Sequence, residues 1–533
     1  MSLRNRIILP LAISALIVLA GCGTSNTIAN PVAPPTGSFS ASSLNGAYVF
    51  SVSGVDLQGA PYVLLGSFTA NGQGGITGGT VDISDFDLTA TVPNSAIGSN
   101  STYKVNVDGR GQASLANSVL GTISLDFVLQ DSAHGLVTEF DTNATGSGTL
   151  DLQSAGVSPT GSYAFSFSGS DTNGALLGTI GNFTVGSNGA ISGLEDVNDG
   201  EFAVPNESLS GSLVVGPSST PSTVLTAGTG LPVTFDVFAI DATHLKFIEM
   251  DGASNLLGDA YSQTSTAFPT GTLAFTFQGS FPGNQSPAAA GGFMVSDGAG
   301  NLTSASTVDA NNAGTVSPQP LLFTGTYASA GTGRYTLALS SFTDGTAYVA
   351  YPFNGGVFLL ESDDSGVMLG AAFPQSSTTL ATSEGYGLNF TGANLTNSVE
   401  VDDIAEFSAD GSGNATGIVD ENFQPGGGPN LGLTLTGTYA PPDSNGRGQV
   451  AANAGTSTKS TLNGGFLINY YSVDGVTFPF IETDTNGQVT TGVFFKQTPT
   501  SSSSAAASAA MAKSHMFVMP RIMKSRIPLK KKM

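Results

Sequence analysis

Short runs in which apolar and polar positions alternate, separated by clusters of Gly, Asn, Asp and Ser, cover the chain from residue 44 to residue 497. Successive side chains on a strand point to opposite faces, so this period of two predicts short antiparallel strands with one face buried. Tyr48-Val-Phe50-Ser-Val52 is one such run. Asn71-Gly72, Asp108-Gly109, Asn188-Gly189, Asp297-Gly298, Asp410-Gly411 and Asn486-Gly487 supply the positive φ that tight hairpins need. Helix-period segments are nearly absent, and 70 glycines argue against a helical layer. The expected fold is all-β, a meander with local connections.

The pattern repeats four times, at a period of ~110 residues. Each copy opens on an alternating run ending in glycine (Gly54, Gly169, Gly279, Gly392), followed by a glycine-flanked phenylalanine (Phe68, Phe183, Phe293, Phe407). An acidic turn comes next: Asp82 and Asp85, Asp196 and Asp199, Asp309 with Asn311, Asp420 with Asn422. Each copy closes on Glu-x-Asp and then Gly-x4-Gln, the latter at Gly148 and Gln153, Gly258 and Gln263, Gly370 and Gln375, Gly492 and Gln497. The predicted organisation is a signal segment 1–22, a tether 23–43, β repeats 44–153, 154–263, 264–375 and 376–497, and a tail 498–533. About eight strands per repeat close a small barrel or pack as a sandwich, since either protects sheet edges. A similar Gly-Thr-Tyr opens the second half at Tyr327 and Tyr439, with arginines following at Arg334 and Arg447. The first repeat has Tyr103 and Arg110 there, and the second has Leu213 and no arginine. This half-period leaves a propeller of long blades as the alternative architecture.

The opening Gly46-Ala-Tyr48 and Gly161-Ser-Tyr163, with the alternation after them, resemble the start of lipocalin-like and avidin-like barrels. The resemblance implies a barrel and carries over no ligand residues. At the N-terminus, Arg4 and Arg6 precede an apolar run, Ile7 to Ala20, and then Leu19-Ala20-Gly21-Cys22. This segment resembles a bacterial lipoprotein signal with its lipobox, which implies lipidation of Cys22 and export to the cell envelope. Gly23 in the next position favours an outer membrane or the cell surface. Cys22 is the one cysteine, so no disulfide framework or Cys-based metal site forms within the chain.

The chain has 16 Lys plus Arg and 39 Asp plus Glu. Two basic residues precede residue 43 and seven follow residue 498, so the body keeps seven basic against 39 acidic residues, a net of −32. Such a field disfavours nucleic acid as a partner. The basic end, Lys513 to Met533, is expected to touch anionic lipid, polysaccharide or the acidic body, if it has a partner.

Glu-x-Asp is the most suggestive constellation, because residues i and i+2 of a strand place two carboxylates on one face. Glu139 and Asp141, Glu249 and Asp251, Glu361 and Asp363, Glu482 and Asp484 are therefore the candidate metal ligands, with calcium the implied ion and otherwise no cofactor. The simpler account is a strand end whose carboxylates accept bonds from the turn or from an arginine such as Arg110. His134 and His244 have no counterpart in the other repeats, His515 lies in the tail, and no nucleophile elbow or phosphate loop is present, so no catalytic residue is named. The expected function is display of a binding or adhesive surface toward an envelope polysaccharide or protein. The rivals are a passive spacer and a glycan-active enzyme; the enzyme requires one unit to hold two acids at working distance in a cleft, and unequal burial of Glu-x-Asp among the copies favours it while equivalent exposure in all four counts against it.

Overall fold

A computed structural model describes residues 37–499 except 89, 173, 201, 214–221, 227–231, 282–285, 341–345, 365 and 456–464. Cys22, the lipobox, His515 and the basic tail lie outside the described residues. Among the described residues every long element is a strand, with one short 3-10 turn at Ala41–Ser43. Four sheets follow one another along the chain, at 45–152, 161–262, 271–374 and 384–496.

The second and fourth sheets are closed eight-stranded barrels in which each strand pairs with its sequence neighbour. The first and third curl through the same circuit. The first closes where Ile97 pairs with Asn117, and the third where Ser286–Ser296 pairs with Asn301–Asn312. Each repeat is thus a barrel, and the half-unit propeller is not formed: the first strand of each unit pairs with the last of the same unit, as Tyr48 with Leu152 and Tyr386 with Lys496.

The alternation read from sequence sets what fills each barrel. Tyr48, Phe50 and Val52 point inward to Phe68, Phe127 and Leu150. In the second barrel Phe165, Phe167 and Phe247 form the interior, with ring centroids 4.6 Å and 5.0 Å apart. Phe390, Phe480 and Phe494 do the same in the fourth. The opening tyrosine plugs one end, its hydroxyl donating to a loop carbonyl: Tyr48 to Ser132 at 2.6 Å and Tyr163 to Ala242 at 2.8 Å.

The recurring glycines answer to close strand approach. A Cβ at Gly148, Gly258, Gly370 or Gly492 would meet the partner strand's carbonyl oxygen at 1.7, 2.0, 2.2 or 2.0 Å. One anchor shifts by a residue. Leu273 pairs with Met294 as Tyr48 pairs with Phe68. Met294 therefore enters the third core while Phe293 faces outward, its ring edge-on to Tyr471 of the fourth barrel at 5.6 Å.

Candidate functional site at the seams between barrels

The outward faces of the strands are polar, as the alternation requires, yet many are buried because each barrel docks on the next and the fourth returns to the first. The residues at these four seams are largely the repeat anchors. Each recurring glutamine reaches from the end of its barrel to an equivalent carbonyl of the next. Gln153 donates to Ala239 O (2.8 Å), Gln263 to Pro352 O (2.5 Å), Gln375 to Ser472 O (2.9 Å), and Gln497 to Leu129 O (3.0 Å).

The acidic turn supplies a second fastener. In three repeats a β-bulge falls at its first aspartate, between Val81 and Ile83, Glu195 and Val197, Val419 and Glu421. A bulge re-aims a side chain, and here it sends the carboxylate into the seam. Asp196 takes both arms of Arg334 from the third barrel, Nε at 2.8 Å and Nη2 at 2.6 Å, and the Tyr351 hydroxyl at 2.5 Å. Asp309 takes Arg447 of the fourth at 2.7 and 3.0 Å and Tyr471 at 2.8 Å. Asp420 takes Arg110 of the first barrel at 3.0 Å. Two residues on, Asn198 donates to Glu361 O and Gly366 O, Asn311 to Glu482 O and Gln488 O, and Asn422 to Glu139 O and Ala144 O. The arginines therefore bind the acidic turns of neighbouring barrels. The pairing of Arg110 with Glu-x-Asp expected from sequence is replaced by one with Asp108 and Asp420.

The seam between the first and second barrels is built differently. The second repeat has no arginine, and Ser84 stands where the other turns have asparagine. Asp82 and Asp236 are both buried, and burial, with Asp236 adding to it, pushes Asp82 up to about 7. An apolar patch that includes Val49, Val63 and Leu65 against Phe238, Ile240 and Ile248 joins the barrels, together with Lys246 at 3.8 Å from Asp151.

The Glu-x-Asp pairs are split between interior and rim. The strands end at the glutamate or one residue later, at Phe140, Glu249, Glu361 and Glu482, so the aspartate already lies in the turn and the same-face rule no longer applies. All four glutamates are buried, 4% exposed or less. Glu139 accepts from the Tyr62 hydroxyl, Glu249 from Ser254, and Glu482 from Thr490 at 2.7 Å. Burial, with Asp141 adding to it, pushes Glu139 up to about 8, and burial pushes Glu249 up to about 7. Each aspartate instead pins a neighbouring strand by accepting a backbone N–H: Asp141 from Ser124, Asp251 from Thr234, Asp363 from Ala347, Asp484 from Leu467. The four glutamates are alike in burial and the four aspartates alike in their backbone bonds, so the pairs do not show the unequal burial that would favour a carboxylate-pair enzyme.

At the mouth of the first barrel Asp56, Asp85, Asp87, Glu139 and Asp141 line a cleft of about 270 Å³ with Tyr62. Burial, with Asp85 and Asp87 adding to it, pushes Asp56 up to about 7. Among the described residues no three His, Cys, Asp or Glu side chains converge closely enough to hold a metal ion. His134 contacts Asp131 at 2.9 Å, and His244 contacts Asp259 at 2.6 Å while stacking on Tyr261.

No protein-family model and no curated protein matches the chain. Among solved structures, a mutant of transferrin binding protein B from Haemophilus parasuis Hp5 is 10% identical, with a TM-score of 0.18, over 68% of this chain and 83% of that one. The isotype 1 transferrin binding protein B from serogroup B Neisseria meningitidis is 8% identical, with a TM-score of 0.19, over 68% of this chain and 83% of that one. At TM-scores below 0.2 the likeness transfers no function to this chain.

Proposed function

We propose that the chain is an exported, lipid-anchored display protein whose four-barrel ring presents a binding or adhesive surface on the cell envelope, toward a polysaccharide or protein. The observation that carries this reading is where the recurring polar residues go. Glutamine, aspartate, asparagine and arginine anchors are consumed in fastening barrels to one another, and the barrel interiors are filled by side chains. What remains for contact is the outer rim and its turns, on a platform that stays ordered because every barrel is held at two seams. Binding is through one composite surface and not through four separate repeated faces, because those faces are turned toward each other.

The anchor is tested by Cys22→Ser. The lipid reading expects loss of acyl labelling and release from the membrane fraction, and retention of both would overturn it. The display reading is tested by titrating the purified body against purified envelope polysaccharides and envelope proteins. Saturable binding abolished by substitutions on the rim supports it. Failure to bind, together with full complementation by an unrelated β spacer of the same length, would replace it by the passive spacer.

A further inference from the structure

The strand registers give the ring two faces. In every barrel the first strand starts and the last strand ends at the same end, as Tyr48 pairs with Leu152, Tyr163 with Ser262, Leu273 with Pro374 and Tyr386 with Lys496. The recurring glutamines join these ends to one another, so all four lie on one face. Asn198, Asn311 and Asn422, and at the remaining seam Thr91 with Met250 O, join the opposite ends into the other face. Both ends of the described chain leave from the first face, and from one point of it. Phe39 N donates to Val107 O (3.1 Å) and Thr498 N to Gln130 O (2.7 Å), in turns of the first barrel that Gln497 bridges through Asp108 O and Leu129 O. Gly37 and Pro499 touch there: a Cβ on Gly37 would stand 3.3 Å from the proline Cβ. From this point Cys22 lies 15 residues back and Lys513, the first base of the tail, 14 residues on. At ~3.3–3.6 Å per residue either span reaches at most about 50 Å, so the cysteine and the bases are delivered to the same patch of surface.

We propose that this exit face is a membrane-contact surface: the basic tail, 513–533, binds anionic lipid headgroups beside the anchored Cys22, and the ring stands on the lipid with its opposite face outward. The proposal deepens the lipid-anchored reading above and rests on it for the point of tethering. Seven Lys and Arg and no acid give the tail its attraction to lipid phosphates, about fivefold in affinity for each base near the surface. Phe517, Val518, Ile522, Ile527 and Leu529 are interleaved with those bases. A segment at a lipid interface uses both kinds of residue, bases for the headgroups and apolar side chains for the acyl boundary. A polysaccharide or the acidic body would satisfy the bases and leave the apolar residues in water. The two faces of the ring differ in the same sense. The four aspartates of Glu-x-Asp, and the cleft lined by Asp85 and Asp87, lie on the outward face. On the exit face the three connections between barrels, 153–160, 263–270 and 375–383, carry no charged residue. Acids of that face, Asp297, Asp410 and Asp443 among them, sit in turns and accept backbone N–H groups. The exposed side chains of Leu57 and Phe202 stand on the outward face, where a partner meets them.

Vesicle flotation tests this with the chain from residue 23 onward, which lacks the apolar signal run and cannot be acylated, so the result does not depend on the lipid anchor. Vesicles of phosphatidylglycerol and phosphatidylcholine should bind it, vesicles of phosphatidylcholine alone should not, and added salt should release it. Replacing Lys530, Lys531 and Lys532 together by serine should weaken binding about a hundredfold, from three bases at about fivefold each. An unchanged circular dichroism spectrum and melt shows that the barrels are intact in this variant. The same chain has no cysteine, so Val107→Cys on the exit face (39% exposed) and Phe202→Cys on the outward face (65% exposed) each accept one fluorescent label. Strands of ten residues separate the two faces by about 30 Å. Energy transfer to an acceptor on the lipid headgroups should be strong from Val107→Cys and weak from Phe202→Cys. Absence of binding to anionic vesicles, equal binding to neutral ones, binding that survives the triple substitution, or equal transfer from both labels overturns the proposal. Capture of the tail by the ring's own acids would appear as absence of binding. In cells, a salt wash of the membrane fraction strips the tail's contribution and leaves an acyl chain in place, so Cys22→Ser after that wash reports failure of the lipid anchor separately.

Discussion

Arg334→Ala is the most direct probe of the ring, because it removes one partner of a buried pair that joins two barrels. The wild-type guanidinium makes two bonds to Asp196, at 2.8 and 2.6 Å, and both residues are at most 6% exposed. Truncation strands a buried carboxylate, a defect that costs about 3 to 5 kcal/mol. Asp196 keeps two donors, Tyr351 at 2.5 Å and Asn206 N at 3.0 Å, which places the expected loss near the lower end, about 3 kcal/mol. Adding Asp196→Asn removes the stranded charge while keeping an acceptor for those donors, so the double variant should recover about 1 to 2 kcal/mol. Lys496→Ala serves as the contrast. Its bridge to Glu384 is 3.0 Å long but 23% and 17% exposed, and should be worth less than ~1 kcal/mol. The chain has no tryptophan, so urea unfolding is followed by circular dichroism and tyrosine emission. A loss below ~1 kcal/mol for Arg334→Ala, or a double variant less stable than the single, would refute the claim that the arginines hold the ring.

Gln375→Ala leaves the carbonyls of Asn445 and Ser472 without their shared donor and should cost about 1 to 3 kcal/mol in the same melts. Gly258→Ala puts a methyl group 2.0 Å from Ser166 O and should destabilise the second barrel by about 1 to 3 kcal/mol, read as an earlier thermal transition. Glu139 is held up to about 8, so its contribution is complete below an unfolded pKa of ~4.3 and is lost as pH climbs toward 8. Thermal melts between pH 4 and 9 should therefore show Glu139→Gln with a flatter decline than wild type.

The fold was legible to the level of four all-β units because period-two alternation and glycine-led turns are local signals. Choosing barrel over sandwich or propeller depends on whether the first strand pairs with the last, a contact ~100 residues apart that leaves no local trace. The anchor at Phe293 illustrates the limit. Its glycine flank matches the other copies, but the spacing from Phe293 to Asp297 is one residue longer than from Phe407 to Asp410, and Met294 takes the inward position. Glu-x-Asp shows a related limit: the same-face rule holds only while the strand continues, and it ends before the aspartate. The four glutamines stood out as a repeat feature, yet glutamine reaching into a foreign barrel looks in sequence like any polar residue after a strand.

One seam could have been read from sequence alone. The second repeat lacks the arginine that Arg110, Arg334 and Arg447 represent elsewhere, and the first repeat has Ser84 in place of Asn198, Asn311 and Asn422. Those two omissions are unrelated if each repeat is considered by itself. They become one event if the arginine of each repeat binds the acidic turn of the repeat before it, because the second repeat's arginine and the first repeat's asparagine belong to the same seam. A repeat that conserves a residue for its own fold should lose it without consequence elsewhere, whereas a residue kept for a neighbour should be lost together with its partner. The paired loss is the pattern of an interface, and it falls at the seam that an apolar patch and Lys246 join instead.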